Sequence, residues 1–562
     1  MHPHKILKVS APQAHLQDLI SGELGISRIL AQILINRGIK SPQEAEGFLH
    51  PKLADLGDPF SFLHMSRAIK LIHNARESKE KVMVFSDYDV DGLTALALLK
   101  DALAKIGIQA EHYLPHRIKE GYGLTKDIAQ LAKKRGIKLL ITADCGTNSH
   151  IQIKELRQRG IEVIVTDHHE PSTKEPSSAS SIINPKTKDS GYPFRDLAGV
   201  GVAYKLAQAL SGKDLAEDLD LVALGTIADV VPLTGENRII AKFGLERLSR
   251  TSRPGLQALI KSSRLKTRNI NSTFVSFIIG PRLNASGRMD TAETSLLLLL
   301  SKDLKDAQEL AGIIEGHNRL RQKVEGKIME EALALIAEDV NFKEQKVIVL
   351  AGEDWHQGVL GIVASKLADR FYRPTILISK TGQLCKGSGR SINNFHLFQA
   401  LLECAGLLDN FGGHAHAAGL TVARDNIALL KERINDLADK RLLLEDLLPV
   451  LNVDMELGLG DIDMSLAEEL ELLEPFGTAN PEAQFFTRNL KLKGEAQVLG
   501  RDTLKFWVSD GQFTCPVIGF GKGILKESLL QAGSIDLVYT PKIDHWLEES
   551  SVILEIKDIF FR

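Results

Sequence analysis

Three aspartates at alternating positions, Asp87, Asp89 and Asp91, follow the short apolar run Val82–Ser86 and precede Gly92. Carboxylates packed into one turn repel each other unless cations offset them, and Asp oxygens suit hard ions such as Mg²⁺ and Mn²⁺. Taken alone, the triplet fits a solvated acidic turn equally well. The pattern recurs, however. The apolar run Leu139–Ala143 ends in Asp144-Cys145-Gly146, Glu162–Thr166 ends in Asp167-His168-His169-Glu170, and Asp229 lies in the apolar segment Leu219–Leu233. Carboxylates joined by one or two imidazoles match a pair of Mn²⁺ or Mg²⁺ ions, with Asp144 placed to bridge them. The repetition favours metal binding over surface decoration.

The elements that must position these side chains read as βαβ units. Each acidic turn ends a short apolar run, and helical patterns follow at Leu93–Ile106, Leu124–Arg135 and His150–Gln158. This predicts a buried parallel sheet whose strands deliver Asp, Asp and Asp-His-His to one edge, where open α/β sheets bind ligands. Within this unit, Arg117, Lys119 and Tyr122 lie in a glycine-containing loop at Leu114–Leu124 that could face a phosphate chain or be merely solvated. Further on, Gly280–Asp290 reads as a loop of small residues offering Arg282, Asn284 and Arg288 to phosphate oxygens, with a structural turn as the alternative. No GxxxxGK[ST] occurs, which speaks against an ATP-driven motor. Lys302–Ile336 reads as one long amphipathic helix or two in series, with a basic side at His317, Arg319, Arg321, Lys323 and Lys327.

A second α/β domain begins near Gln345, with strand patterns at Lys346–Ala351 and Pro374–Ser379 around a helical Gly358–Asp369. It contains Lys386–Ser391, where Ser388 and Arg390 could hold a phosphate, and Asn410–Gly419, where Gly412 and Gly413 before His414 permit close backbone approach to a ligand. Residues 448–562 carry five short β-rich runs, which predict a small barrel or sandwich.

Asp87-Tyr-Asp-Val-Asp-Gly92, Ala143-Asp-Cys-Gly146, Thr166-Asp-His-His-Glu170 and Ile227-Ala-Asp-Val230 resemble the motifs of the DHH phosphoesterases. Length and downstream motifs resemble the branch of that superfamily that degrades single-stranded DNA. The resemblance implies an α/β chain: a parallel-sheet DHH domain and a smaller α/β DHHA1-type domain joined by a long helix, then an OB-fold-like β-barrel. The expected division is an N-terminal mainly helical segment at 1–75, the catalytic domain at 76–300, the connecting helix at 301–340, the substrate-binding domain at 341–446 and the barrel at 447–562. The expected ligands of two divalent cations, Mn²⁺ or Mg²⁺, are Asp89, Asp91, Asp144, His168 and Asp229. Asp87 is expected to serve the second ion or to orient water, and His169 to contact phosphate or protonate the leaving group. Arg117, Tyr122, Arg282, Asn284, Arg288, Ser388, Arg390, Gly412, Gly413 and His414 are the expected substrate contacts. In the barrel, Lys491, Lys493, Lys505, Trp507 and Phe513 are candidate strand contacts. No Ser-His-Asp or Cys-His arrangement is evident, which favours direct attack by water.

Implied by the resemblance are 5′→3′ hydrolysis of single-stranded DNA to mononucleotides in repair and recombination, and two partners, single-strand-binding protein and a RecQ-like helicase. Two other readings are a phosphodiesterase of short oligonucleotides or cyclic dinucleotides and a non-catalytic single-strand-binding replication scaffold. The β-rich C-terminal region speaks against the first, and the full ligand set against the second. At 562 residues and a net charge of −3, bulk charge does not drive nucleic-acid binding, although a local basic groove can. Four scattered cysteines with no CxxC pair suit a reducing compartment, and no apolar run reaches ~18 residues. A cytoplasmic protein without membrane contact is expected.

Overall fold

The structure, a computed structural model, describes residues 5–172, 178–213, 215–264, 270–544 and 550–562. Its first sheet is wholly parallel. In spatial order it contains Glu111–Tyr113, Lys81–Ser86, Ile137–Ala143, Glu162–Thr166 and Ser181–Ile183. Lys81–Ser86 is buried after its first residue because helices cover both faces, which explains the unbroken apolar run. Val82 and Val84 face the core shared with helices Met65–Glu77, Val90–Lys105 and Gly199–Ser211. Met83 and Phe85 face the core shared with Ile128–Arg135 and His150–Gln158. After the first strand the chain runs outward to Glu111–Tyr113 and then crosses back to Ile137–Ala143. The order therefore reverses between the strands that end at Asp87 and Asp144, and the ligand crevice of such sheets opens there.

Leu304–Asp339 is a single helix of 36 residues, capped by the Asp303 side chain. Its basic side is largely neutralised one turn away, through Arg319–Glu315, Arg321–Glu325 and Lys327–Glu331 pairs. Beyond it stands a mixed sheet ordered Leu408–Gly413, Ala417–Ala423, Leu384–Arg390, Thr375–Ser379 and Ile348–Gly352. Ser388 and Arg390 thus lie on a strand, because Leu384–Arg390 pairs along its length with Ala417–Ala423 and, from Lys386 onward, with Thr375–Ser379.

In the C-terminal region Phe485–Leu499 pairs with Thr503–Ser509 on one side and Ile535–Asp544 on the other, which closes a barrel. The N-terminal helices Ala14–Leu24, Arg28–Asn36 and Pro42–Leu49 share that barrel's core. Leu30, Ile33 and Leu34 pack in one cluster with Leu466, Leu470 and Phe485. Strand Ile6–Val9 also pairs in parallel with Val450–Val453. Helix Met65–Glu77, by contrast, packs beneath the parallel sheet. Fully buried Arg238 joins the parts: its guanidinium donates to the carbonyls of Phe48, Leu472, Leu473 and Glu474 at 2.7–3.0 Å. No helix among the described residues is long and apolar enough to cross a membrane.

Candidate active site

Asp87 follows the first strand, and Asp89 caps the next helix by accepting the Gly92 N–H at 3.1 Å. A Cβ on Gly92 would lie 2.5 Å from the Asp87 carbonyl oxygen, so the turn between the aspartates requires glycine. Asp91 points inward from the first helical turn and is itself clamped. Its two oxygens accept the Gly199 and Val200 N–H groups, both at 2.7 Å, from the start of helix Gly199–Ser211. Gly199 is needed for a second reason, since a Cβ there would fall 2.5 Å from Asp144 Oδ1. Asp144 holds φ +58°, strained for a non-glycine residue and retained where the sheet ends at the crevice.

Ligand atoms converge in three groups: Asp91, His168 and Asp229; Asp87, Asp89 and Asp144; and Asp144, His168 and His169. His168 Nε2 lies 3.2 Å from Asp144, 3.5 Å from Asp229 and 3.8 Å from Asp91. Burial pushes the His168 pKa down to about 3, so at neutral pH its imidazole is a neutral lone-pair donor. Burial, with repulsion from Asp89, pushes Asp91 up to about 7. Asp87, Asp144 and Asp229 are raised well above the carboxylate range by burial and then by neighbouring carboxylates, Asp89 in the case of Asp87 and Asp91 in the case of the other two. Asp87 Oδ1, Asp144 Oδ1 and both His168 nitrogens are buried without a hydrogen-bond partner. Buried acceptors that lack donors and repel each other fit hard divalent cations held by oxygen and imidazole.

Asp167 has a different duty. It accepts the Thr147 and His168 N–H groups at 2.8 Å, the His169 N–H at 3.2 Å and the His169 ring at 2.8 Å. Burial alone would raise its pKa, but His169 and these bonds hold it below the usual range. An ionised Asp167 fixes His169 with Nδ1–H directed at it, which leaves Nε2 for chemistry. His169 is raised despite burial because Asp167 favours its cation. The Tyr122 hydroxyl lies 3.0 Å from the same ring nitrogen.

Facing this cluster, a cleft of about 700 Å³ separates the two α/β domains, lined from one side by Tyr88, Arg117, Tyr122 and Arg288 and from the other by Lys386, Ser388, Arg390 and Gly412. Arg117 sits 4.8 Å over the Tyr88 ring. Arg288 donates to the Gly358 carbonyl at 3.1 Å, and Lys386 to that of Ile118 at 3.0 Å, so each crosses between the domains. Burial, then repulsion from Arg117 and Arg390, lowers Arg288 to about 9. Arg390 is lowered by burial and then by Arg117. Crowded guanidinium groups call for anions as the crowded carboxylates call for cations.

Not every expected contact reaches this cleft. Gly280–Met289 is a helix, preceded by one π-turn at Val275–Ile279, rather than a loop. Pro281 suits a first helical turn, and the small residues allow close packing, with Gly287 against Ala292 and the Tyr88 carbonyl. Its interior N–H groups are therefore spent on helix bonds. Arg282 pairs with Glu315 at 2.9 Å, and the Asn284 Oδ1 is buried; only Arg288 of the three lines the cleft. Gly413 and His414 lie at the hairpin turn, where the His414 N–H bonds the Ala417 carbonyl at 2.8 Å, and neither is part of the lining. Sequence reasoning missed the Gly199–Val200 clamp and also Asn184, which donates to the His169 carbonyl at 2.9 Å and Thr147 Oγ1 at 2.8 Å. The Gly-Val-Gly opening of an apolar helix was the available signal for the clamp.

Fold and site define a DHH-type phosphoesterase with two α/β domains. Residues 81–226 match the DHH family N-terminal domain, 344–440 the DHHA1 domain and 453–558 the RecJ OB domain. The single-stranded-DNA-specific exonuclease RecJ of Bacillus subtilis is 40% identical, covering 98% of this chain and 70% of that protein. RecJ of Dickeya dadantii is 34% identical, covering 95% of this chain and 96% of that one. RecJ of Thermus thermophilus in complex with Mn²⁺ superposes with a TM-score of 0.85 at 29% identity, covering 99% of this chain and 80% of that one. A structure of the same protein in complex with Mg²⁺ gives 0.78. The chain belongs to the RecJ family.

Proposed function

We propose that this protein is a metal-dependent 5′→3′ exonuclease that hydrolyses single-stranded DNA to mononucleotides. The observation that carries this reading is the juxtaposition of a carboxylate–imidazole cluster with a guanidinium-lined cleft. Asp91, His168 and Asp229 would hold one divalent cation, Asp87, Asp89 and Asp144 the other, with Asp144 shared between them. When bound, such a pair acidifies water, neutralises the phosphate and stabilises the leaving oxygen. The protein's own groups do the rest. Arg117, Arg288, Ser388 and Arg390 grip phosphate oxygens at the 5′ end and set the strand's register across the cluster. Tyr88 and Tyr122 at the rim offer ring faces to bases. His169, oriented by Asp167, presents Nε2 to the phosphate or donates a proton to the departing oxygen. The barrel, with Trp507 and Phe513 exposed, extends the grip along the strand.

This reading extends to a role in repair and recombination in the cytoplasm, beside single-strand-binding protein and a RecQ-like helicase that would supply unwound strand. The test uses 5′- and 3′-labelled single strands and a matching duplex with Mn²⁺, Mg²⁺ or EDTA. Immediate release of labelled mononucleotide from the 5′ end of the single strand alone, abolished by EDTA, is expected. Cleavage confined to dinucleotides would replace this reading with a small-substrate phosphodiesterase.

A further inference from the structure

Gln357 opens helix Gln357–Phe371 and lines the guanidinium cleft from the side of the second α/β domain. Its turn is fixed from several directions. The Trp355 indole donates to Glu331 at 2.7 Å, the Gly358 N–H to His356 Nδ1 at 3.2 Å and the Val359 N–H to the His356 carbonyl at 2.9 Å. Arg288 holds the Gly358 carbonyl from the other domain. One turn further on, the Cβ position of Gly361 lies 3.0 Å from both Arg390 Nη2 and Ser388 Oγ. Residues four apart share a helix face, so the face that carries Gln357 is the one laid against Ser388 and Arg390.

The Gln357 side chain is not satisfied by the protein. Its Oε1 is buried with no hydrogen-bond partner among the described residues. A buried acceptor without a donor is costly, but an amide carries its own remedy. A half-turn about the last side-chain bond exchanges Oε1 for Nε2, an acceptor for two donors. Guanidinium groups attract the oxygen end of the amide dipole, whereas a phosphate held among them attracts the nitrogen end. The number of donors then indicates which phosphate. A phosphodiester within a strand offers two free oxygens and one charge, while a phosphate monoester offers three oxygens and about 1.5–2 charges. Arg117, Arg288, Arg390 and Ser388 already outnumber the oxygens of a diester. A further donor that turns in on demand fits the third oxygen of a monoester.

We propose that Gln357 is a specificity-determining residue for the strand terminus. Its amide turns to donate through Nε2 to the third oxygen of a 5′-phosphate, and so favours a phosphorylated 5′ end over a 5′-hydroxyl. This rests on the exonuclease reading above. Being neutral, the amide yields its place to the phosphate and returns to the cations once the product has left.

The full-length protein with Mn²⁺ is assayed on one single-stranded sequence that carries either a 5′-phosphate or a 5′-hydroxyl. Gln357→Met keeps the length of the side chain without its hydrogen bonds. It should raise KM for the phosphorylated strand roughly five-fold and leave KM for the hydroxyl strand within about two-fold of the wild type. Gln357→Glu keeps the shape and suits a first helical turn, so the fold is retained. It sets a permanent carboxylate where the phosphate must bind, and should raise KM for the phosphorylated strand roughly ten-fold or more, again with little effect on the hydroxyl strand. In both variants kcat should change little, because the metal ligands are untouched. Equal penalties on the two strands, or a Gln357→Met KM that does not move on the phosphorylated strand, would overturn the role of Gln357. Failure of the wild type to cut either strand would overturn the exonuclease reading itself and this role with it.

Discussion

Asp144 stands in two of the three ligand groups and is held in a strained backbone by Gly199 on one side and the sheet on the other. Asp144→Ala should lower turnover by about three orders of magnitude or more, because both cations lose a ligand. Its melting temperature without metal should not fall, since the substitution removes a carboxyl that burial and repulsion disfavour; turnover near that of the wild type would refute the assignment. The pH dependence of the metal-free protein follows from the same crowding. A carboxyl whose folded pKa exceeds its unfolded value stabilises the fold below the unfolded pKa, and that contribution is lost as pH rises through the folded pKa. Asp91, at about 7, with Asp87, Asp144 and Asp229 raised in the same direction, should make the protein in EDTA melt at lower temperature as pH climbs towards neutrality and beyond. Mn²⁺ should raise the melting temperature more at about pH 8 than at about pH 6, because the cations displace fewer protons there. Thermal melts across that range decide it. These aspartates were legible in the sequence because each ends an apolar run. The clamp on Asp91 was not, because its donors lie more than a hundred residues away and are backbone groups, which leave no mark on side-chain type.

At the scale of the element, Gly280–Met289 shows how local composition misleads. Glycine, proline, asparagine and serine together read as a loop, but the segment is wedged where small residues are needed for close packing, and tertiary contact overrides propensity. The misreading also overstated its arginines. Arg390→Ala, on a strand facing the cleft, should raise KM for long single strands roughly ten-fold and leave kcat at saturation nearly intact. Arg282→Ala should scarcely move KM, because its guanidinium is engaged by Glu315. Steady-state kinetics on the two variants side by side would separate them; equal effects would show that Arg282 reaches substrate despite its pairing with Glu315. The strand and helix patterns of the second domain were readable because period and length agree there. The pairing of Leu384–Arg390 was not, since its glycines and serine look like turn signals.

At the scale of the whole molecule, Arg238 links three regions with no carboxylate partner among the described residues, its charge spread over four carbonyls and the Phe48 ring 3.9 Å away. Arg238→Ala should destabilise the protein by about 3 kcal/mol or more, since it leaves those acceptors buried and unpaired. Chemical denaturation should show the loss, and a change within error of zero would refute the role. Nothing in the sequence marks this arginine, which sits in an ordinary helical pattern. Nor does it disclose that the first helices belong with the barrel, because sequence distance conceals such contacts. That union has a consequence for how the chain is made. The apolar faces of Ala14–Leu49 emerge from the ribosome about four hundred residues before the Leu457–Ile559 surface that covers them, an interval of about half a minute. The metal-binding domain can therefore collapse during synthesis while the first segment to be made waits for the last. A nascent chain halted after Asp446 should yield a protease-resistant middle and a readily cleaved beginning.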